Sequence, residues 1–137
     1  MREILFRGKT DKGEWVQGVP FFEEERCYII EDLFICDEYD CTGAVNTMVI
    51  PETVGQYTGL TDKNGKKIFE GDVVLFSWGD DKNRQPFYIE FVDGEFRATP
   101  KEITQDVWSI RIASYAPDFE VIGNIHDNPE LLKGGEG

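Results

Sequence analysis

The sequence of 137 residues contains a single histidine and only three cysteines. His126 stands beside Asp127 near the C-terminus, and no Ser or Cys adjoins it to form a nucleophile–base pair. With 27 acidic residues, chance pairs of carboxylates are expected, so such pairs carry no signal. The sequence therefore predicts no catalytic residues, no cofactor and no enzymatic activity.

Cysteine is also scarce. The three thiols, Cys27, Cys36 and Cys41, are an odd number and cannot all pair within one chain. Together with His126 they would offer four zinc ligands, but zinc sites usually bring their ligands in close pairs, and these cysteines are not so spaced. We expect no metal and a reducing compartment.

Long apolar runs are absent. No segment approaches the roughly 20 apolar residues of a membrane-spanning helix. At the N-terminus only Ile4–Phe6 is apolar, and Arg2, Glu3 and Arg7 flank it, which does not resemble a signal peptide. The expectation is a soluble cytoplasmic protein with no membrane partner.

Basic residues are outnumbered, 14 against 27 acidic ones, so the formal net charge is −13. Phosphate backbones repel such a protein, which disfavours nucleic acid as a partner. The acids are concentrated between residues 23 and 40, where Arg26 is the only base. Solubility is the simplest explanation of this segment. The alternative is a basic partner or mimicry of a nucleic-acid surface, for example to inhibit a DNA-binding protein.

The residues that are abundant favour β-structure. Hydrophobic residues make up 40% of the chain and aromatic residues 13%, which suffices for a core. In the N-terminal third, "WVQGVPFF" predicts a strand interrupted at Gly18 and Pro20, and "VNTMVI" predicts a strand that stops at Pro51. The runs "CYII" and "LFIC" are compatible with a tight hairpin or with one bulged strand. A boundary is predicted near Pro51–Gly55.

The segment "VGQYTGLTDKNGKKIFEGDVVLF", Val54–Phe76, has the clearest pattern. Asn64-Gly65 is the strongest hairpin signal, because both residues tolerate the positive φ that a two-residue turn requires. After the turn at Gly71, we expect Asp72 to accept hydrogen bonds from backbone N–H groups and to begin a core strand. Both roles are structural.

The C-terminal part predicts a second hairpin across Asp93-Gly94 and a late strand over Phe119–Ile125. Between them, a short helical turn near Pro100–Gln105 followed by a strand is the favoured interpretation. In "DNPELL", Asn128 is a candidate N-cap, with Pro129 at the first position of a short helix.

Three blocks of this sequence resemble one family. "VGQYTGLTDKNGKKIFEGDVV", together with "REILFRG" and "FEVIGNIHDNPELL", is similar to the YopX family of phage and prophage proteins, from Arg2 to about Leu132. The resemblance implies a mainly β protein with an N-terminal β region at 1–54, an SH3-like barrel at 55–132 and a frayed tail at 133–137. It implies a phage or prophage of a Gram-positive host, and it supplies no activity.

The leading hypothesis is a non-enzymatic accessory protein that binds an unidentified host or phage protein. The alternative is a small nucleic-acid-binding barrel that uses the hairpin lysines Lys63, Lys66 and Lys67, with Tyr57 as a stacking surface. Against this, hairpin lysines commonly serve solubility and aromatic residues commonly fill the core. A homo-oligomer is also compatible with the sequence, because exposed edge strands can pair.

Overall fold

The computed structural model of the chain describes residues 4–33, 44–76, 86–100 and 109–132. This part is mainly β, and the chain divides into two compact units, Met1–Tyr57 and Thr58–Gly137. The strands are β1 Phe6–Lys9, β2 Trp15–Glu23, β3 Arg26–Leu33, β4 Ala44–Thr61, β5 Lys67–Phe69, β6 Asp72–Phe76, β7 Pro86–Val92, β8 Glu95–Pro100, β9 Ile110–Arg111 and β10 Phe119–Asn124. The 3-10 helices that the structure describes are Ile112–Ser114, Ala116–Asp118 and Pro129–Leu132.

The first unit is an antiparallel sheet that closes on itself. Strands β1 to β4 pair in sequence order, and β1 also pairs with β4. Successive side chains of a strand point to opposite faces, so each strand has an inner and an outer set. The inner set forms the core, with Cys27, Ile29 and Val49 buried and Phe6, Val16 and Val54 packed against them.

Two predicted interruptions in this unit are wrong. Strand β2 continues through Gly18 and Pro20, and β4 continues through Pro51. Beyond Gly18, β2 no longer pairs with β1, so the N–H that Pro20 lacks has no partner on that side. Pro51 lies in the stretch where the β1–β4 register shifts, where a missing donor is also tolerated.

Gly18 is required by a close approach of two strands. A Cβ atom at this position would lie 2.0 Å from the carbonyl oxygen of Ile30 on β3.

Strand β3 distinguishes the two alternatives for "CYII" and "LFIC", a tight hairpin or one bulged strand, as far as Leu33. Here β3 is one strand whose register shifts between Ile30 and Asp32, which is the bulged alternative.

The second unit contains a five-stranded antiparallel sheet in the order β10-β6-β7-β8-β9. Strands β6 to β9 follow one another as a meander, and β10 returns to pair with β6. The core consists of Ile68, Val74, Phe87, Ile89, Ala98, Ile112, Ala116 and Phe119.

Both predicted hairpins occur, with different turns. At Asp93-Gly94 the two φ values are 54° and 84°, the two-residue turn with both residues in the left-handed region. At Asn64-Gly65 only Gly65 has a positive φ, 83°, and the N–H of Asp62 donates to the oxygen of Lys66 at 2.8 Å. This is a three-residue loop with glycine in the left-handed position, so the expectation of two positive φ values was wrong here.

The predicted late strand is present as β10, Phe119–Asn124. Among the described residues after 105, the predicted strand corresponds to β9, Ile110–Arg111, and two 3-10 helices follow before β10. The helical turn predicted near Pro100–Gln105 falls on residues that lie, after Pro100 in β8, outside the described part. The side chain of Asn128 turns back to β10, where it accepts a hydrogen bond from the N–H of Asn124 at 3.3 Å.

Candidate binding surfaces

The hairpin that carries the predicted lysines is organised by a buried carboxylate. Oδ1 of Asp62 accepts the backbone N–H groups of Asn64 and Lys66, each at 2.9 Å. Oδ2 accepts the backbone N–H of Val121 on β10, also at 2.9 Å. Only 5% of Asp62 is exposed. One side chain therefore closes the turn and attaches it to a strand far along the sequence.

The charge of Asp62 is maintained by these donors. Burial raises the pKa of the carboxyl group, but the N–H groups of Val121, Lys66 and Asn64, together with the Lys66 charge, outweigh it and lower the pKa. The sequence analysis did not single out Asp62. An Asp two residues before Asn-Gly was the available signal, because such side chains accept N–H groups from the turn that follows.

The three lysines of this hairpin have different surroundings. The backbone N–H of Lys63 donates to the oxygen of Phe119 at 2.9 Å, and its Nζ lies 3.8 Å from Oε1 of Glu120. Lys66 is exposed and Lys67 is half-buried. An acidic residue therefore faces the cationic surface proposed for nucleic acid, which reduces its attraction for phosphate.

Tyr57, the proposed stacking residue, is 7% exposed, and its N–H donates to the oxygen of Leu5 at 2.7 Å. The side chain is therefore buried and offers little surface for stacking with a base. The basic residues Lys82 and Arg84, and Trp78, which follow the hairpin in the sequence, lie outside the described residues.

The predicted role of Asp72 is confirmed. Its Oδ2 accepts the N–H of Phe69 at 2.8 Å across the turn in which Gly71 has a φ of 94°. Asp72 is buried, and Val73 and Val74 follow it into the interior. The Gly-Asp pair is thus explained by backbone conformation and capping.

A polar cluster in the second unit joins β7, β8 and Ser109. The hydroxyl of Thr99 donates to Oε2 of Glu90 at 2.6 Å, and Nε of Arg97 donates to Oγ of Ser109 at 2.7 Å. Burial, followed by the charge of Glu90, raises the pKa of the neighbouring Tyr88. The pairs link adjacent strands in the manner of cross-strand contacts that stabilise a sheet.

Of the three cysteines, Cys27 lies within the described residues. Cys27 is fully buried, and burial raises the pKa of its thiol above the ordinary value. Cys36 and Cys41 lie outside the described residues. Within residues 4–33, 44–76, 86–100 and 109–132, no group of three His, Cys, Asp or Glu side chains is arranged to hold a metal ion.

Several apolar side chains are exposed on the outside of the first unit. We call this surface the outer face, and it consists of Val19, Phe21, Tyr28, Ile30, Met48 and Ile50. Across the strands Val19 stands opposite Ile30, and Tyr28 stands between Phe21 and Met48. Phe21 is 47% exposed and Met48 is 55% exposed. Contiguous apolar surface of this kind marks interaction sites in soluble proteins.

The outer face was not predicted, although the apolar run "CYII" indicated it. The run "CYII" is apolar at every position, so β3 presents Cys27 and Ile29 inward and Tyr28 and Ile30 outward. An uninterrupted apolar strand is typical of sheets that are covered on both faces. The pattern indicated two apolar faces, and the fold supplies a core for one of them.

Comparison with known proteins decides the family. The family model described as "YopX protein" matches residues 5–133. The chain belongs to the YopX family. This confirms the resemblance that the three sequence blocks carried.

Two relatives of this YopX-family chain are informative. The SPbeta prophage-derived uncharacterized protein YopX of Bacillus subtilis (strain 168) is 33% identical over 72 residues, which is 51% of this chain and 53% of that protein. The match therefore spans about half of the relative's length. The crystal structure of protein EF1440 from Enterococcus faecalis has a TM-score of 0.63 at 27% identity, and covers 96% of this chain and 99% of that one.

Among the residues that the structure describes in this family member, no helix is long and apolar enough to cross a membrane.

Proposed function

We propose that this YopX-family chain is a non-enzymatic interaction module of a phage or prophage. It acts in the bacterial cytoplasm and binds a protein through the outer face of the first unit. The observation that carries the proposal is the exposure of apolar side chains on β2 and β4, with the half-buried Tyr28 and Ile30 of β3 between them.

The apolar side chains of the outer face are partly exposed to water. Phe21 and Met48 leave about half of their surface in water, and they flank Tyr28 in one cross-strand row. Burial of apolar surface is favourable by roughly 25 cal/mol per Å², so covering such a row supplies binding energy. Aromatic residues and Met are enriched in the centres of protein–protein interfaces. A protein partner therefore fits this surface better than a small polar ligand does.

The use of the carboxylates supports a binding role over a catalytic one. Asp62 and Asp72 are both buried, and their oxygen atoms accept backbone N–H groups of their own turns and, for Asp62, also of β10. A general acid or base needs a proton-accepting atom that reaches a substrate. These two carboxylates serve the fold instead.

We also propose that the second unit is an SH3-like barrel that acts as scaffold. The sheet order β10-β6-β7-β8-β9 combines a four-strand meander with a last strand that returns to the first. The 3-10 helices at Ile112–Ser114 and Ala116–Asp118 precede that last strand. This order of elements supports the assignment.

Site-specific photo-crosslinking tests the interaction role. A benzophenone amino acid is placed at Phe21, and in a matched variant at Phe91, which is 53% exposed on the second unit. In the host cell, irradiation is expected to produce a discrete protein adduct from position 21 and none of the same mass from position 91. Equal adducts from both positions, or none from position 21, would contradict the proposal.

A further inference from the structure

We infer that the protein that covers the outer face is a second copy of this chain, in a two-fold symmetric dimer. The inference rests on the proposed function, because it assigns the occupant of the same surface. It is carried by a further observation, which is the distribution of charge at the two ends of the outer face on β1, β2 and the turn to β3.

On the outer side, the neighbouring strand β1 places two cations beside the N-terminal end of β2. Gly8 faces the interior, since a Cβ there would lie 2.8 Å from the Val49 side chain, so its neighbours Arg7 and Lys9 face outward. Both are held over the ring of Trp15, with Arg7 Cζ at 4.6 Å and Lys9 Nζ at 5.9 Å from its centroid. The contacts with the ring fix two cations at this end of the strand.

The C-terminal end of β2 is acidic. Glu23 ends the strand. It lies on the outer side because it is two positions after Phe21, and such residues share one face of a strand. Glu24 and Glu25 form the turn to β3, with a φ of 57° at Glu24, and all three are exposed. Arg26, opposite Glu23 across the strands, offsets only part of this charge.

These ends complement each other when two copies pack face to face. Glu23 is eight positions after Trp15, which corresponds to about 26 Å of extended strand. If two β2 strands lie antiparallel across a two-fold axis, the basic end of each copy meets the acidic end of the other. The apolar rows of Val19 and Phe21 lie between the two charged ends.

This pattern favours a second copy over a generally basic protein. A two-fold interface must be self-complementary, because the same surface is used on both subunits. The outer face is flanked by cations at one end and by acidic residues at the other, whereas a face adapted to a basic partner would have acidic residues at both ends. The net charge of −13 opposes self-association, but charges farther apart than about 8 Å are largely screened at physiological salt.

Light scattering after size-exclusion chromatography measures the mass of the chain from about 1 µM to about 100 µM. The wild type is expected to be dimeric at the upper end. Phe21→Glu is expected to weaken dimerisation at least about 10-fold, because it buries a charge at the apolar centre. The matched variant Phe91→Glu changes an equally exposed aromatic residue on the second unit and is expected to leave the dimer intact. Circular dichroism verifies that both variants are folded.

A charge exchange tests the antiparallel arrangement. Lys9→Glu and the triple variant Glu23→Lys, Glu24→Lys, Glu25→Lys each place like charges together in a homodimer, so each is expected to shift towards monomer. An equimolar mixture restores opposite charges at both ends and is expected to form heterodimers. Failure of the mixture to associate, with both variants folded, would overturn the arrangement.

The two proposals can fail separately. A wild type that stays monomeric at every concentration overturns the second-copy inference. If crosslinking at position 21 then yields an adduct with another protein, the interaction role stands without it. An adduct of twice the chain mass at position 21, absent at position 91, supports both.

Discussion

Oδ2 of Asp62 lies 2.9 Å from the backbone nitrogen of Val121, a residue 59 positions away in the sequence. The N–H of Lys63 reaches the oxygen of Phe119 on the same strand. Strand β10 is an edge of its sheet, so its free N–H and C=O groups would otherwise be open to pairing with other chains. The hairpin turn satisfies two of these groups, which gives Asp62 and the turn that follows it a structural role.

Replacement of Asp62 by Asn is expected to destabilise the protein by about 2–3 kcal/mol, because one charged acceptor of three N–H groups is lost and an amide NH₂ faces a donor. Urea unfolding at pH 7 measures the change. Asp118→Asn, at an exposed position, is the matched control and should remain within about 0.5 kcal/mol of the wild type. Equal effects of the two changes would contradict the role of Asp62.

The contribution of Asp62 should also depend on pH. Its pKa is lowered in the folded protein from the ordinary value of 3.8, so its stabilising effect is fully present above that value and is lost as the pH falls through the folded pKa. The difference in unfolding free energy between wild type and Asp62→Asn should therefore narrow below about pH 4. Urea titrations at a series of pH values measure it, and a constant difference would argue against a charged Asp62.

Two glycine substitutions should differ in severity. Gly18→Ala places a Cβ 2.0 Å from a backbone oxygen, so β2 and β3 must separate, and a loss of more than about 3 kcal/mol is expected. Gly65→Ala meets open space and strains only a φ of 83°, for a loss of about 1–2 kcal/mol. Chemical denaturation ranks the two, and the reverse order would show that the β2–β3 contact is misplaced.

Cys27 should resist alkylation in the folded state, because it is fully buried and its thiol pKa is raised. Mass spectrometry of peptides after iodoacetamide treatment is expected to show Cys27 modified at least about 100-fold more slowly in buffer than in urea. Similar rates in both conditions would place the thiol at the surface.

Nucleic-acid binding tests the alternative function. Because Glu120 faces Lys63 and the chain is strongly acidic, labelled DNA and RNA oligonucleotides are expected to show no saturable change in fluorescence anisotropy at about 50 mM salt. Binding that Lys66→Glu abolishes, with a steep dependence on salt, would instead favour the hairpin as a nucleic-acid site.

Local chemistry in the sequence determined much of the fold. Asp93-Gly94 specified a turn because both residues accept a positive φ, and Gly71-Asp72 specified a capped strand start because the carboxylate accepts a nearby N–H. The run that became β10 was apolar enough to identify. The three blocks that contain these signals also identified the family.

The tertiary structure decided what depends on distant strands. Pro20 and Pro51 do not end their strands, because the partners that would need their N–H groups are absent at those points or out of register. Asp62 accepts a hydrogen bond from Val121, and local turn preferences cannot predict a contact between residues 59 positions apart. Likewise, hydrophobicity marks Phe21 and Ile29 alike as apolar, and only the closure of β1 on β4 determines that Ile29 is enclosed and Phe21 is exposed.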